Sequence, residues 1–419
     1  MKELEGSGGM FAELWERVSD VEVFTSSVRE WVAGLSVNSV IILIMMIFML
    51  VGAIDKLRGN KLGYGQEFDE GFRAMGPLAI AMAGVVAAVP VLAAVLEPIV
   101  VPLYRLLGAD GAMFAGTLLA CDMGGYPLAQ ELAQTEAAAN FSGLILGTMM
   151  GATLVFTIPV ALSIIKPEDR PYLGAGTLAG LITIPIGCIA GGLAMAMTPY
   201  PMDLLAIFRN LIPVILIAAL IVLGLWFAPA KMIAGFNHFG AGVTAVITVF
   251  TAIAVFQYQT GIHFPLFNLM VEAESEGGLM PLEEGLLVCG QIAVVLIGAF
   301  PMVKWITKTF GKALGKLGKA LGMNESGSAG LVATLANNIA MFNIFGEMNE
   351  KGKLLNVAFA VGASFVFGDH LGFTAGVNQD MIFPMIIGKV VAGVTALILC
   401  SWLSPKLLSK IQDSRGGKR

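Results

Sequence analysis

The sequence predicts an all-α polytopic membrane protein built from inverted repeats, with about nine transmembrane helices and two re-entrant broken-helix hairpins, eleven apolar segments in all. Three observations predict it. First, apolar residues make up 57% of the 419 positions and charged residues only 13%, against roughly 25% charged in a soluble domain, and the mean hydropathy is +0.81. Second, apolar runs of about 20 residues recur, long enough to cross a hydrocarbon core of roughly 30 Å. Third, two shorter apolar segments, FAGTLLACDMGGYPLAQEL from Phe114 and SAGLVATLANNIAMFNIFGEM from Ser328, are interrupted by Asp122 with Gly124-Gly125 and by Asn337-Asn338. Paired interrupted segments at matching places in two halves are the sequence mark of a transporter's central site. Alternating strand patterns are absent from the sequence, which excludes a lipid-facing β-barrel.

Residues 1–35 read as an acidic amphipathic extension with no cleavable signal peptide, since no A-x-A-like site follows the first span. Full spans are expected at 36–54, 75–97, 141–164, 172–197, 204–228, 234–258, 285–306, 354–376 and 382–403, forming one transport domain over 36–403. Lys56, Arg58, Lys61 and Arg73 follow the first span. Lys304, Lys308, Lys312, Lys316 and Lys319 form a second basic stretch, and residues 404–419 a basic tail. Basic loops stay cytoplasmic, whereas the 259–284 loop carries Glu272, Glu274, Glu276, Glu283 and Glu284 without Lys or Arg. All three basic regions fall on one side only if both broken segments enter and leave by the same face. The N-terminus is then outside and the C-terminus inside. Non-helical backbone at membrane depth must be buried in protein or line a wet cavity, which places the hairpins centrally.

LLGADGAMFAGTLLA (Leu106 to Ala120) matches ALGMNESGSAGLVAT (Ala320 to Thr334) at a constant offset of 214 positions. Gly108 faces Gly322, Asp110 faces Asn324, and Ala115-Gly116 faces Ala329-Gly330. Repeats are expected at about 75–197 and 285–403, inverted because an odd number of spans relates them. Mirrored hairpins in inverted repeats are the architecture of alternating access.

Asp122 costs about 2.5–3.5 kcal/mol at mid-membrane on insertion scales, so it should face a cavity or a partner. It is either a site carboxylate or a structural one at a hairpin tip, followed by Tyr126 and Pro127. Asn337-Asn338 offers uncharged acceptors and donors, for a polar ligand or for interhelical bonding. Asp369-His370, with Phe373 following, would bind a cation, relay a proton or form a fixed pair. Lys389 either pairs with a carboxylate across the bundle or snorkels. Asn140, Thr148 and Thr153 either line a path or bond neighbouring helices.

Cys121, Cys188, Cys289 and Cys400 show no CxxC spacing and read as small core residues. No GxxxxGK[ST] is present, so ATP hydrolysis by that route is excluded. No metal, cofactor or nucleic-acid partner is expected, and an intramembrane enzyme lacks a placed nucleophile. The lysines of 304–319 face away from Leu314, Leu317 and Leu321 and mark an interfacial helix in contact with membrane lipids. A homo-oligomer is left open.

FAGTLLACDMGGYPLAQELA, GLILGTMMGATLVFTIPVAL, TIPIGCIAGG, LVATLANNIAMF and FGDHLGFTAG followed by MIFPMIIGKVVAGVTA resemble the ethanolamine permeases of the bacterial ethanolamine-utilisation operon, the EutH family. The resemblance runs from about Asn38 to Leu403. It implies multi-pass residence in the inner membrane and uptake of ethanolamine. It supplies no site map. For such a substrate the residues themselves suggest Asp122 or Asp369 with Tyr126 or Phe373 for the ammonium, and Asn337, Asn338 or His370 for the hydroxyl. The alternatives are an ion-coupled transporter of another small polar amine or metabolite, and a channel-like facilitator.

Overall fold

In a computed structural model the described residues are 15, 17–273, 275 and 277–416. Most of the acidic start of the extension, Glu274, Glu276 and the last basic residues Lys418 and Arg419 lie outside them. Among the described residues every regular element is helical. A short exposed helix α1 (Val21–Ala33) is capped by the Asp20 carboxylate and buries no residue. Helix α2 (Val37–Leu57) opens on a Ser36–Ser39 capping box. Its buried Asn38 donates to the Asp380 carbonyl at 2.8 Å and accepts from the Phe383 N–H at 2.8 Å, tying α2 to a distant segment. At its other end Asp55 accepts from the Leu62 and Gly65 N–H groups, at 2.9 and 3.2 Å, closing the loop into α3 (Tyr64–Arg73).

The first half continues through α4 (Met75–Leu106), α5 (Ala112–Leu118), α6 (Tyr126–Leu132), α7 (Glu136–Ile164) and α8 (Arg170–Ala194). Two peripheral helices follow, α9 (Leu204–Phe227) and α10 (Pro229–Thr260). The second half comprises α11 (Pro281–Ala320), α12 (Glu325–Ala336), α13 (Asn338–Asn343), α14 (Glu350–Ala363), α15 (Asp369–Val377) and α16 (Ile382–Gly416). Eight helical stretches of the described residues are long and apolar enough to cross a membrane. The α7 stretch is the most enclosed, whereas α2 and α10 keep most of their apolar surface on the outside.

Both interrupted segments fold back on themselves. The Asp110 carboxylate accepts from the Gln134 N–H at 3.0 Å, and the Asn324 side chain donates to the Glu347 carbonyl at 2.8 Å. Each segment therefore returns to the point where it began. The 214-position offset extends into local geometry. Thr135 and Asn349 are both N-caps, accepting from Ala138 and Gly352 at 3.2 and 2.9 Å. Ser142 and Asn356, also 214 apart, donate to the Ala112 carbonyl at 2.5 Å and the Gly327 carbonyl at 2.8 Å, acceptors one position off that offset.

The expected continuous span at 354–376 is instead two helices. Helix α14 ends at Ala363, and the chain runs non-helically to Asp369. Phe365 there has φ 61°. Its N–H donates to the Thr334 carbonyl at 3.1 Å and that of Phe367 to Leu335 at 3.0 Å, so the break is satisfied by the end of α12. Gly368 allows this approach, since a Cβ there would lie 2.0 Å from the Ala336 oxygen. In the first half the counterpart is a widened π-helical stretch, Phe141–Gly151 and Thr153–Thr157. There a Cβ on Gly151 would lie 1.9 Å from the Leu119 oxygen.

Candidate functional site

Three breaks meet at the centre. After α5 the chain is extended at Leu119 and Ala120 and turns through Cys121–Gly125. Gly124 has φ 88°, and a Cβ on it would sit 1.9 Å from Val85 Cγ1; only glycine meets both demands. This turn presents Asp122, half-buried, beside buried Cys121. His370, in the first turn of α15, approaches from the third break. The Cys121 sulfur, a carboxylate oxygen of Asp122 and a ring nitrogen of His370 all lie within 4.8 Å of one another. His370 Nδ1 and Thr374 Oγ1 on α15 are buried without a hydrogen-bond partner, as is uncommon for buried polar atoms, and are available to a ligand.

Lys389 on α16 completes this layer. It is 0% exposed, so it does not snorkel. Its ammonium donates to the Thr148 carbonyl at 2.5 Å, inside the π-helical stretch of α7. It lies within electrostatic reach of Asp122, Cys121 and His370. Close backbone packing brings α16 there: a Cβ on Gly187 of α8 would lie 2.5 Å from the Gly388 oxygen.

Cavities flank the layer on two sides. One, of about 460 Å³, is lined by Tyr126, Gln130, Phe373 and Val377 together with Glu284 and Gln291 of α11. Tyr126 meets Phe373 edge-on at 6.1 Å between ring centroids. Its hydroxyl donates to Asn140 Oδ1 at 3.3 Å and accepts from Gln130 at 3.1 Å, and Asn378 donates to the same Asn140 oxygen at 2.9 Å. The other cavity, of about 640 Å³, is lined by Asn337, Gly368 and Asp369 with Glu67, Lys304 and Lys308. Glu284 and Lys308 lie 24 residues apart on α11, or about 36 Å at 1.5 Å per residue, so the cavities sit toward opposite ends of that helix. Helix α15 separates them: Asp369 lines one and Phe373 the other. Gly372 and Gly376 press it onto Leu296 and Ile292, whose atoms would lie 2.2 and 2.8 Å from added Cβ atoms.

The seven expected residues thus divide into groups. Asp122 joins His370, Tyr126 joins Phe373, and Asn337 joins Asp369. Asn337 is a cap, accepting from the Ile339 N–H at 2.8 Å. Asn338 is fully buried and donates to Thr157 at 2.9 Å, leaving its Oδ1 unpartnered. Cys121 was read from sequence only as a core residue, and Thr374, Gln130 and Asn378 were not singled out, because only the three breaks bring such distant positions together. An amide next to the 379–381 turn, or a Gln one turn after Tyr126, carries no signal of its own.

Eight apolar helical stretches among the described residues, with polar and titratable side chains buried between them, define a multi-pass helical membrane protein. Residues 37–403 match the family described as ethanolamine utilisation protein, EutH, and the chain belongs to that family. It is 55% identical over 376 residues to a Listeria monocytogenes protein named "Probable ethanolamine permease EutH", covering 90% of this chain and 96% of the relative. An Escherichia coli K12 protein of the same name is 48% identical over 399 residues, covering 89% and 97%. Bacillus subtilis "Uncharacterized protein YxeR" is 46% identical over 378 residues, covering 90% and 98%. No solved structure matches the chain. The first two relatives carry the name of a probable permease, not of an enzyme.

Proposed function

We propose that this protein takes up ethanolamine across the bacterial inner membrane by alternating access, with the substrate held between the two broken segments. Ethanolamine at neutral pH is mainly an ammonium ion with one hydroxyl. Asp122 receives the ammonium, and Tyr126 and Phe373 line the approach with aromatic surface. His370 Nδ1, Thr374 and Asn338 offer free polar atoms for the hydroxyl. Asn337 and Asp369 belong to the exit on the other side. The observation that carries this reading is the Asp122–His370–Lys389 layer between cavities toward opposite ends of α11, closed by the short helix α15. A closed partition with access on both sides favours a carrier over a channel-like facilitator.

The repeats at about 75–197 and 285–403 are read as inverted, each contributing a hairpin and a broken or widened helix. The shared offset in caps and left-handed glycines, with hairpin-base bonds within one position of it, supports this. The basic 304–319 stretch and C-terminal tail then face the cytoplasm. Purified protein in liposomes should take up labelled ethanolamine saturably and show counterflow. Uptake no faster than in protein-free liposomes would sink the reading.

A further inference from the structure

Lys389 is the one element of the layer that uptake of a cation does not call for. An ammonium beside the site for an ammonium substrate repels it. Resting on the ethanolamine reading above, we propose that Lys389 is the resident counter-ion of the substrate site, and that each ethanolammonium bound at Asp122 expels one proton from it. Before substrate arrives, Lys389 supplies the positive charge opposite Asp122, anchored on the Thr148 carbonyl. Among the described residues Asp122 makes no ion pair within 4.0 Å, so its carboxylate stays open to a ligand. The charged and titratable groups around Lys389 are few. Cys121 and Asp122 come from the first break and His370 from α15, while α7 contributes none between 141 and 157. Asp369 lines the opposite cavity and is also within electrostatic reach of Asp122, and two neighbouring buried carboxylates do not both stay ionised. One carboxylate in a buried site balances one ammonium, and a second like charge there disfavours the charged form of the first.

The step balances as an exchange. Substrate ammonium takes the Asp122 carboxylate, one N–H bond of Lys389 breaks with its electron pair remaining on nitrogen, and H⁺ leaves to solvent. When substrate departs, Lys389 regains a proton. Binding should therefore tighten about tenfold per pH unit as pH rises while Lys389 of the free protein still holds its proton, and level off above that, and the net charge of the layer is the same with and without substrate.

Calorimetry of ethanolamine binding to the full-length protein, run in phosphate and in MES at pH 6, counts the protons released per ligand bound. The expected result is about one released proton for the wild type. Lys389→Met should bind without release and with a flat pH profile. Lys389→Arg, whose guanidinium keeps its proton, should lose binding at least tenfold while remaining monodisperse. Wild-type binding without proton release overturns the proposal. So does release retained in Lys389→Met, which would place the proton on a carboxylate or His370, or in Lys389→Arg, which would place it on the substrate. A wild type that binds no ethanolamine overturns the transport reading itself, and this inference with it.

Discussion

Gly108 and Gly322 share a left-handed backbone, φ 72° and 80°, each two residues beyond the end of its helix, α4 or α11. Each bends the chain from a long span into a hairpin. Substituting alanine at either should cost about 1–2 kcal/mol through the left-handed strain alone, because a Cβ meets nothing within 4 Å at Gly108 and only Lys351 at 3.4 Å at Gly322. Gly235→Ala, in the body of α10 and also in open space, should stabilise by about 0.5–1 kcal/mol. Thermal unfolding in detergent reads all three. Equal effects at the three positions would remove the left-handed turns as the cause.

Asp122→Asn should keep the fold and lose ethanolamine. Removing one member of a buried charge pair costs roughly 3–5 kcal/mol, here expected mainly as lost affinity. Equilibrium binding of labelled ethanolamine to purified variant and wild type tests this. Wild-type affinity in the variant takes Asp122 out of the site.

Lys353 and Asp169 form an ion pair at 2.6 Å with side chains 13% and 5% exposed, joining the start of α14 to the turn before α8. Lys353 also lies over Tyr172 and Phe345, 5.7 and 5.9 Å from their ring centroids. Asp169→Asn should destabilise by about 3–5 kcal/mol because the ammonium is left buried and uncompensated. Lys353→Met combined with Asp169→Leu should recover most of that loss. A double variant no more stable than Asp169→Asn alone would show that packing, not charge, sets the cost.

All four native cysteines are buried, so the folded protein should resist membrane-impermeant maleimide and serve as a background for labelling. A cysteine at exposed Glu272 should react from outside intact cells, and one at exposed Lys316 only after the cells are opened. The opposite pattern inverts the orientation. Labelling of both from outside breaks the hairpin topology.

Hydropathy and loop charge made the bundle legible, and the polar interruptions at Asp122 and Asn337-Asn338 located two of the three breaks. The third was hidden. Ser364 to Gly368 reads as SFVFG, apolar like its surroundings, and its departure from helix comes from strand-like bonds to Thr334 and Leu335 that no local pattern encodes. The widened turns of 141–157 are equally silent, since a π-helix spends the same apolar residues as an α-helix. Within the site, Asp122 and His370 were each suspect as polar residues in lipid. Their meeting, and the arrival of Lys389, depend on glycine contacts between helices far apart in sequence. Asp369 and His370, neighbours in the chain, face differently: Asp369 lines one cavity, within electrostatic reach of Asp122, while His370 stands with Asp122 in the layer.

Helix α15 has nine residues, about 13 Å of length, where the hydrocarbon core is roughly 30 Å thick. The cavities at its two ends are wide enough for water, whose share of liquid volume is about 30 Å³ per molecule. Aqueous vestibules conduct, so with the two cavities opening to opposite faces, as the proposed transport cycle has them, the membrane voltage falls across this septum and not across the full bilayer. A charge at Asp122 or Lys389 would then sit in a field more than twice as steep as in bare lipid, and a displacement of about 3 Å there would tap roughly a quarter of the about 2.3 kcal/mol that 100 mV supplies per elementary charge.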